Sequence, residues 1–393
     1  MNKDFFKKGV VETIEESSVK KKLASGKKLR IKYGVDPTRP DIHLGHAVAM
    51  WKLKELQDEG HIIIFLIGDY TTKIGDPSGR STARPILSDA EIKQNAKTYF
   101  DQVGKILDVK KTEVRYNSEW YAKMSFNDIL QIAGKFTVAG IIERDDFSNR
   151  LKKGIDVGLH ELLYPLMQAY DSVVLEADIA FCGTDQKFNE LAGRELQKKM
   201  GQTPQDIIMV KLLVGLDGKE KMSKSLNNYI GITEDANSMF GKVMSIPDSL
   251  INEYFELCTD VSAGDMKKYD KQMNPPAGRG TNPRDIKAIL AAKIVELYHD
   301  KKSAEKAKEE FFKVFSKKEL PTDIPEIKIK GTYALPLFLI ELGASGSNSE
   351  ARRLIEQGAL KIDGTKITDP KSEVTAHPDM IVQVGKKKFY RIK

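Results

Sequence analysis

The stretch from Lys32 to His46 constrains the fold most, because it joins a strand pattern to a helix pattern through a turn rich in proline and glycine. Residues 29–35 alternate apolar and polar side chains, which is typical of a strand. Residues 47–56 are good helix formers, and Gly60 ends the run. The pattern therefore predicts a strand that leads directly into a helix, with a loop at the carboxyl end of the strand.

Two histidines, His43 and His46, lie three residues apart in the first turn of this predicted helix. They face one way, beside backbone N–H groups without partners in the helix and at the positive end of its dipole, where an anionic phosphate is held best. Gly45 lies between them and lets a nucleotide approach the backbone. Two histidines at this spacing are usually ordinary helix residues, so a second motif must decide between these interpretations.

That second motif is the lysine-rich segment Lys-Met-Ser-Lys-Ser at residues 221–225. Alone, such a segment is usually solvated surface. Its order and spacing after the His-Leu-Gly-His turn at 43–46 resemble class I aminoacyl-tRNA synthetases, and details further along are similar to the tyrosyl-tRNA synthetases. Leu44 departs from the isoleucine that is commonest in the first motif.

The resemblance implies tyrosine activation by ATP, which arrives with Mg²⁺, and transfer of tyrosine to tRNA(Tyr). No set of metal ligands is visible in the sequence, so we expect no tightly bound metal. The catalytic residues that the resemblance implies are His43, His46, Thr38, Lys221 and Lys224. The ATP-binding residues that it implies are Asp36, Gly45, Gly183, Asp185 and Lys224.

One helix carries a polar stripe that bears on the substrate. Tyr164, Gln168 and Asp171 are spaced by four and three residues, so they point to one side of a helix that starts near residue 160. Polar groups among leucines are costly to bury without partners, and a satisfied structural network is the alternative interpretation. The resemblance implies that Asp171 receives the phenolic hydroxyl of tyrosine. It implies that Tyr164 and Gln168 help to hold the amino group.

Two further loops complete the site that the resemblance implies. Asp76, in the turn-rich loop 68–80, would bind the amino group of tyrosine, and Gln186 would bind its carboxylate. Gly183 and Asp185 follow a predicted strand at 177–182, where ligands of parallel sheets bind. The same residues could simply cap the next helix, and capping does not exclude binding.

The length and composition of the chain limit the class of protein. The chain has 393 residues, 40% of them hydrophobic, which is enough for two or three domains with their own cores. Two cysteines exclude a disulfide scaffold, and the apolar run at 62–68 is too short to cross a bilayer. Residues 1–10 do not resemble a signal peptide. We expect a cytoplasmic protein without membrane association, and a net charge of +7 is compatible with a polyanionic partner.

The predicted fold class is α/β, with a Rossmann-like parallel sheet in the catalytic domain, then an α-helical domain and a small α+β domain similar to S4 RNA-binding modules. The near-continuous apolar run at 61–67 is typical of a strand buried in a parallel sheet. The resemblance implies a homodimer formed by an insertion at about 110–155. The domain limits are 1–228 for the catalytic domain, 229–318 for the helical anticodon-arm domain, 319–330 for a linker and 331–393 for the S4-like domain.

Several elements are predicted by pattern alone. Residues 1–28 are expected to form a helix and a loop, and a helix at 88–107 is expected to start with a capping box between Ser88 and Glu91. Single helices are expected at 124–139 and 283–315. In the S4-like domain the basic residues Arg352, Arg353, Lys361 and 386–388 are expected to meet RNA phosphates.

One position departs from the family. Many tyrosyl-tRNA synthetases have a tyrosine two residues before the glycine of the opening strand, and this chain has Lys32 there, followed by Tyr33. A shift of one residue along a strand reverses the face, so Tyr33 is not expected to substitute. The sequence therefore does not identify the residue that makes a second contact with the phenolic hydroxyl of tyrosine.

Three other functions are compatible with parts of the pattern. Tryptophanyl-tRNA synthetases share both motifs, but their chains usually lack the S4-like tail and the aspartate at position 171. A non-catalytic RNA-binding protein on a synthetase scaffold would not need the five residues His43, His46, Lys221, Lys224 and Asp171. A small-molecule nucleotidylyltransferase would explain the histidine turn, but neither the lysine segment nor the tail.

Overall fold

The structure is a computed structural model that describes residues 5–77, 87–275, 280–316, 320, 324–385 and 388–393. The chain divides into two compact units, Met1–Lys308 and Glu309–Lys393. Parts of three predicted segments lie outside the described residues: positions 78–80 of the loop after the second buried strand, positions 319 and 321–323 of the predicted linker, and the basic residues 386 and 387.

The first unit is built on a six-stranded sheet. Its strands are β1 (Val10–Ile14), β2 (Arg30–Val35), β3 (Ile62–Ile67), β4 (Thr112–Tyr116), β5 (Ile179–Gly183) and β6 (Asp206–Val210). Their order across the sheet is β1-β6-β5-β2-β3-β4, and every neighbouring pair is parallel except β1 with β6. The α/β prediction is confirmed. Strand β2 is followed in the chain by its neighbour β3 on one side, whereas its neighbour on the other side, β5, comes much later in the chain. The strand order therefore reverses between β2 and β5, and ligands of such sheets bind in the crevice at this point.

Helices surround this sheet. They are α1 (Glu16–Ala24), α2 (Leu44–Asp58), α3 (Asp89–Val103), α4 (Ser118–Tyr121), α5 (Phe126–Ala133), α6 (Val138–Ile142), α7 (Asp145–Lys152), α8 (Tyr164–Val174) and α9 (Lys187–Lys199). After β6 the chain is helical, with α10 (Ala236–Val243), α11 (Ile251–Cys258), α12 (Ala263–Met273), α13 (Pro283–Tyr298) and α14 (Lys301–Ser316). The predicted capping box is confirmed, since the Ser88 hydroxyl accepts from the N–H of Glu91, whose carboxylate accepts from the N–H of Ser88.

The prediction for the first 28 residues was wrong in part. Residues 10–14 form β1, which pairs antiparallel with β6, and only α1 is helical. The residues of β1, Val-Val-Glu-Thr-Ile, are mostly β-branched and suit a strand. Their partner lies about two hundred positions away, so local periodicity carried no signal of the pairing.

Two predicted single helices are each broken into two. In the stretch 124–139, α5 ends at Gly134 and α6 starts after Thr137, whose hydroxyl accepts from the N–H of Gly140 at 3.1 Å. In the stretch 283–315, α13 ends at His299, which has φ −123° and ψ −105° and therefore is not helical. Local caps at these positions override the continuous apolar pattern.

The second unit has its own core. Its elements are β7 (Glu326–Ile327), β8 (Gly331–Ala334), α15 (Leu335–Glu341), α16 (Asn348–Glu356), β9 (Leu360–Ile362), β10 (Thr365–Ile367), β11 (Glu373–Ala376), β12 (Ile381–Val384) and β13 (Lys388–Ile392). Five strands form a sheet in the order β10-β9-β12-β13-β7, and β8 pairs with β11. The predicted α+β character of this region is confirmed. Strand β7 falls in the predicted linker, where it pairs in parallel with β13.

Candidate active site

A cleft of about 750 Å³ opens at the carboxyl ends of the central strands of the first unit. Every residue predicted for catalysis, ATP or tyrosine lines it: Asp36, Thr38, His43, Gly45, His46, Asp76, Tyr164, Gln168, Asp171, Gly183, Asp185, Gln186, Lys221 and Lys224. The sequence places these residues far apart, and the strand order β5-β2-β3 brings their loops together. The cleft has a histidine and lysine end and a carboxylate and amide end.

The two histidines form a stacked pair at the start of α2. His43 is the N-cap residue, and its ring lies 3.8 Å from that of His46, centroid to centroid. The backbone N–H of His43 donates to Nδ1 of His46 at 3.3 Å. Because Nδ1 accepts this bond, the proton of a neutral His46 ring is on Nε2, which can then act as a donor.

Both imidazoles are neutral at physiological pH. Burial lowers the pKa of His46 to about 3, and the charges of Lys224 and Lys221 lower it further. Burial, His46 and the same lysines hold the pKa of His43 well below its usual value. Within the described part of the chain, the buried Nδ1 of His43 has no hydrogen-bond partner. The pair therefore offers neutral hydrogen-bonding groups to a ligand, without adding positive charge.

Gly45 is required by this pair. A Cβ on residue 45 would lie 3.0 Å from Nδ1 of His43 and 3.5 Å from Cβ of Met222. The contact with Met222 would be ordinary, but the contact with the His43 ring is tight, so a side chain here would push that ring by a few tenths of an ångström. Glycine lets both pack against the first turn of α2.

The lysine segment 221–225 is docked onto the cleft by both of its lysines. Nζ of Lys221 lies 2.6 Å from the carboxylate of Asp185. Nζ of Lys224 donates to the backbone oxygen of Arg39 and to the hydroxyl of Tyr99, both at 2.9 Å. Burial lowers the pKa of Lys224 to about 8, although nearby Asp41 opposes the shift. Two ammonium groups thus face the same space as the histidine pair.

Asp36 lies directly after β2 and links the two ends of the cleft. Its carboxylate accepts from the hydroxyls of Tyr164 at 3.0 Å and Thr71 at 2.9 Å. The backbone N–H of Thr38 donates to the backbone oxygen of Asp36 at 2.8 Å, which fixes the loop toward α2. The Tyr164 hydroxyl therefore points to Asp36, between the predicted nucleotide and amino-acid residues.

The predicted polar stripe of α8 does face one cleft, and Asp171 is among its most buried lining residues. This carboxylate is 2% exposed and accepts from Nε1 of Trp120 at 3.0 Å and from Nδ2 of Asn117 at 3.4 Å. Burial raises its pKa to about 7, and the charge of Lys32 with these donors opposes the rise. A buried carboxylate with two neutral donors suits a ligand that brings one more donor.

Four side chains close a hydrogen-bonded ring at the amide end. Nε2 of Gln186 donates to Asp76 at 2.7 Å, and Nδ2 of Asn189 donates to Oε1 of Gln186 at 2.9 Å. The guanidinium of Arg144 completes the ring by donating to Asn189 at 3.0 Å and to Asp76 at 3.3 Å. The ring holds the carboxylate of Asp76 and the amide of Gln186 side by side. The carboxylate can accept from an ammonium group and the amide can donate to a carboxylate, so the two together can bind one small ligand that carries both groups.

The loop after β5 fits closely around its neighbours. A Cβ on Gly183 would lie 2.8 Å from the carboxylate of Asp185 and 2.7 Å from Leu212. Glycine therefore leaves open the surface at the carboxyl end of β5, beside the crevice with β2.

Several site residues were missed from sequence. Asn189 follows Gln186 by three residues on α9, so helical spacing could have indicated it. Arg144 precedes α7 and Trp120 lies on α4, and neither has a local pattern that connects it with the cleft.

The predicted RNA-binding residues lie in the second unit. Arg352 and Arg353 are exposed on α16, and Lys361 is exposed on β9. Lys388 is the first residue of β13. These positions leave the basic side chains accessible to a partner.

Neither a metal cluster nor a membrane helix is found among the residues that the structure covers. No group of three or more His, Cys, Asp or Glu side chains there could hold a metal ion. No helix in that part of the chain is long and apolar enough to cross a membrane.

Comparisons with known proteins match nearly the whole chain. The model for class I tRNA synthetases of the W and Y type matches residues 24–316, and the model for the tyrosine–tRNA ligase SYY-like C-terminal domain matches residues 317–392. A tyrosine–tRNA ligase of Thermotoga maritima is 47% identical over 98% of this chain and 96% of its own length. A tyrosine–tRNA ligase of Francisella tularensis is 49% identical over 99% and 97%.

Solved structures agree in fold. The Archaeoglobus fulgidus tyrosyl-tRNA synthetase complexed with L-tyrosine has a TM-score of 0.63 at 23% identity, covering 78% of this chain and 98% of that chain. A Plasmodium falciparum tryptophanyl-tRNA synthetase has a TM-score of 0.59 at 15% identity, covering 77% and 82%. Because both likenesses are below 25% identity, they show the fold alone.

Proposed function

We propose residue roles from the premise that this chain belongs to the tyrosyl-tRNA synthetases, within the class I aminoacyl-tRNA synthetases. It is a tyrosine–tRNA ligase, and tyrosine, ATP and tRNA(Tyr) are its substrates. The identity of the curated relatives decides for tyrosine over tryptophan, a choice that the shared fold leaves open. It also sets aside the non-catalytic and nucleotidylyltransferase alternatives.

The observation that carries the site assignment is the buried Asp171 carboxylate at the end of the cleft. Trp120, Asn117 and the hydroxyl of Tyr121 are hydrogen-bonding neighbours of this carboxylate, and a carboxylate with about four acceptor sites has capacity left for a phenolic hydroxyl. At the other end of a bound tyrosine, Asp76 receives the ammonium group and Gln186 the carboxylate. Tyr164 and Gln168 line the space between, so the side chain and the α-substituents of tyrosine are both recognised.

ATP occupies the histidine and lysine end in this proposal. The tyrosine carboxylate attacks the α-phosphate, pyrophosphate leaves, and the tyrosyl adenylate then esterifies the terminal ribose of the tRNA. No side chain acts as a nucleophile. His43, His46, Thr38, Lys221 and Lys224 position the phosphates and stabilise the charge that develops on them. Asp36, Gly45, Gly183 and Asp185 hold the nucleoside.

Mg²⁺ enters bound to ATP in this proposal. The cleft carboxylates Asp36, Asp76 and Asp185 are each engaged with neighbouring side chains. At nucleotide sites Mg²⁺ is held largely by phosphates and water, with only one or two carboxylates. The cleft therefore does not have to supply a full set of metal ligands. The ion would neutralise phosphate charge. We propose a cytoplasmic location, where tRNA(Tyr) and ATP are available for translation.

ATP–pyrophosphate exchange with tyrosine, tryptophan, phenylalanine and no amino acid tests the assignment. Exchange that depends on tyrosine alone is expected. Exchange with tryptophan would remove Asp171 from the role of phenol acceptor. No exchange with any amino acid would refute the enzymatic assignment.

The lowered pKa of Lys224 predicts how ATP use depends on pH. An amine with a pKa of about 8 loses its proton between pH 7 and pH 9. The value of kcat/KM for ATP, which reports the free enzyme, is expected to fall about tenfold over that range. Lys224→Arg keeps its charge there and is expected to remove the fall. An equal fall in both proteins would show that another group titrates.

We propose that the chain forms a homodimer through the region of α5 and α6. Phe126 is 77% exposed, and Leu130, one turn further along α5, and Val138 on α6 are also exposed. Grouped apolar side chains of this size mark interaction sites. The double variant Phe126→Asp, Leu130→Asp is expected to sediment as a monomer. Met200→Asp, an exposed apolar position outside the insertion, is the control, and an unchanged sedimentation coefficient in the double variant would refute this interface.

The S4-like domain is proposed to bind tRNA through Arg352, Arg353 and Lys361. Arg352→Glu with Arg353→Glu is expected to lower kcat/KM for tRNA in aminoacylation by at least about tenfold, because phosphate contacts are lost. Tyrosine-dependent exchange should be unchanged. Lys371→Glu reverses one exposed charge elsewhere in the same unit and is the control. Equal effects of the two changes would indicate only a loss of net charge.

A further inference from the structure

A buried lysine lies on β2 inside the cleft. Lys32 is 1% exposed, lies on β2 and lines the cleft. The next residue, Tyr33, packs against Phe65 with ring centroids 5.9 Å apart and lines a small void with His46. Tyr33 also lines the cleft, but successive strand residues face opposite sides, so its ring lies toward His46 while Lys32 points toward α8 and α9.

Lys32 connects three elements of the site. Its Nζ donates to the hydroxyl of Ser172 at 2.7 Å and lies 2.9 Å from a carboxylate oxygen of Glu190. Ser172 follows Asp171 on α8, and Glu190 lies on α9. The ammonium therefore joins β2 to both helices that carry the proposed tyrosine-binding residues.

Glu190 extends this connection toward the amide end of the cleft. One of its oxygens accepts from Nε2 of Gln168 at 2.9 Å, and the other accepts from Nε2 of Gln205 at 2.9 Å in addition to pairing with Lys32. A buried carboxylate is retained only when it is paired and hydrogen-bonded, and here these three donors meet that need. The amide of Gln168 is thereby held in one orientation, with Oε1 accepting from Asn189 at 2.8 Å.

Lys32 also acts on Asp171 through its charge. The charged and titratable groups that act on that carboxylate are Lys32 from β2 and Tyr121 from α4, and Lys32 is itself paired with Glu190 from α9. Burial favours the neutral carboxyl, and the ammonium favours the carboxylate. Among these groups the positive charge is on Lys32.

We propose that the Lys32–Glu190 ion pair positions the substrate tyrosine. The ammonium of Lys32 stabilises the Asp171 carboxylate, which accepts the phenolic hydroxyl, and Glu190 fixes the orientation of the Gln168 amide, which helps to hold the amino group. The inference rests on the proposed function. In this arrangement the charge of Lys32 acts from behind the binding residues, through Ser172 and Glu190. Lys32 and Glu190 are thus positioning residues, and neither needs to touch the reacting atoms.

Two variants separate this role from a structural one. Lys32→Met removes the charge and leaves Glu190 unpaired, whereas Lys32→Met with Glu190→Gln removes both charges and leaves no buried ion without a partner. Lys52→Met is the matched control, since Lys52 is also buried, pairs with Glu55 and lies outside the cleft. Thermal unfolding checks that each protein is folded.

Exchange kinetics give the readout. Both Lys32 variants are expected to raise the KM for tyrosine at least about tenfold and to reduce discrimination against phenylalanine by a similar factor. The KM for ATP should change less than about threefold, and Lys52→Met should behave as wild type. A folded double variant with a wild-type KM for tyrosine would overturn the proposal, because the pair would then serve only to neutralise itself. Failure of the wild type to exchange with tyrosine would instead refute the proposed function.

Discussion

Replacing Asp171 by asparagine is expected to lower kcat/KM for tyrosine by about 10- to 150-fold. The substitution keeps the shape of the side chain and removes its charge. A hydrogen bond to a charged group contributes about 1.5–3 kcal/mol, and each 1.36 kcal/mol is a factor of ten in rate. The bond from Trp120 to Oδ1 can persist, but the amide places an N–H group beside Nδ2 of Asn117, which is also a donor. Steady-state ATP–pyrophosphate exchange measures the effect.

Asp76→Asn is the matched control for this change. Asp76 is proposed to receive the ammonium group, which tyrosine and phenylalanine share, so this variant should weaken both amino acids equally. Asp171→Asn should weaken tyrosine alone, because phenylalanine has no hydroxyl to lose a partner. If both variants kept the wild-type ratio of tyrosine to phenylalanine, Asp171 would not be the phenol acceptor.

The pH dependence of tyrosine binding gives a second test of the same residue. With a pKa of about 7, Asp171 gains a proton as the pH falls from 8 to 6. The neutral carboxyl is the weaker acceptor, so the KM for tyrosine is expected to rise about tenfold over that range. The profile of Asp171→Asn should be flat. His43 and His46 add no inflection there because their pKa values lie well below it.

Substitutions of His46 are expected to have the largest effect on the chemical step. Nδ1 of His46 accepts from the N–H of His43, which leaves Nε2 as the donor toward the phosphates. Asparagine can retain an acceptor near Nδ1 but has no group at Nε2, and glutamine can reach the Nε2 position. Losing a donor aimed at developing charge costs about 10²- to 10³-fold in kcat. His46→Asn is expected to show this loss, and His46→Gln a smaller one.

Stability should follow the opposite order in these two variants. The hydrogen bond at the start of α2 is retained by asparagine and lost by glutamine, which costs about 1 kcal/mol of unfolding free energy. Single-turnover adenylate formation and thermal unfolding measure the two effects. Equal kcat values in His46→Asn and His46→Gln would show that His46 acts through the helix start and not as a donor.

The fold was predictable where structure is local. The run at Ile62–Ile67, the strand before the histidine turn and the capping box at Ser88 all follow from nearby residues. Strand β1 was missed because its partner β6 is remote in sequence. The break after α13 was missed because it depends on the backbone conformation of His299, and neither a glycine nor a proline marks the position.

The site was predictable to the extent that motifs carry it. Helical spacing places Tyr164, Gln168 and Asp171 on one face, and the resemblance supplied their roles. The resemblance did not identify the side chains that contact and orient these three residues. Arg144 and Lys32 act on the cleft through partners from other elements, and only the folded structure shows those contacts.

The order of strands in the sheet has a consequence for synthesis of the protein. Strands β2, β3 and β4 are neighbours both in sequence and in space, so they can assemble while the chain is still being made. Strand β1 is translated first but pairs with β6, whose last residue is Val210. At about 5–20 residues per second, the N-terminal strand waits for roughly 10–40 seconds with an unpaired edge. The segment of the first unit that is translated earliest is therefore among the last to join the sheet. When β1 pairs with β6, it covers the edge of β6 that newly made chains expose.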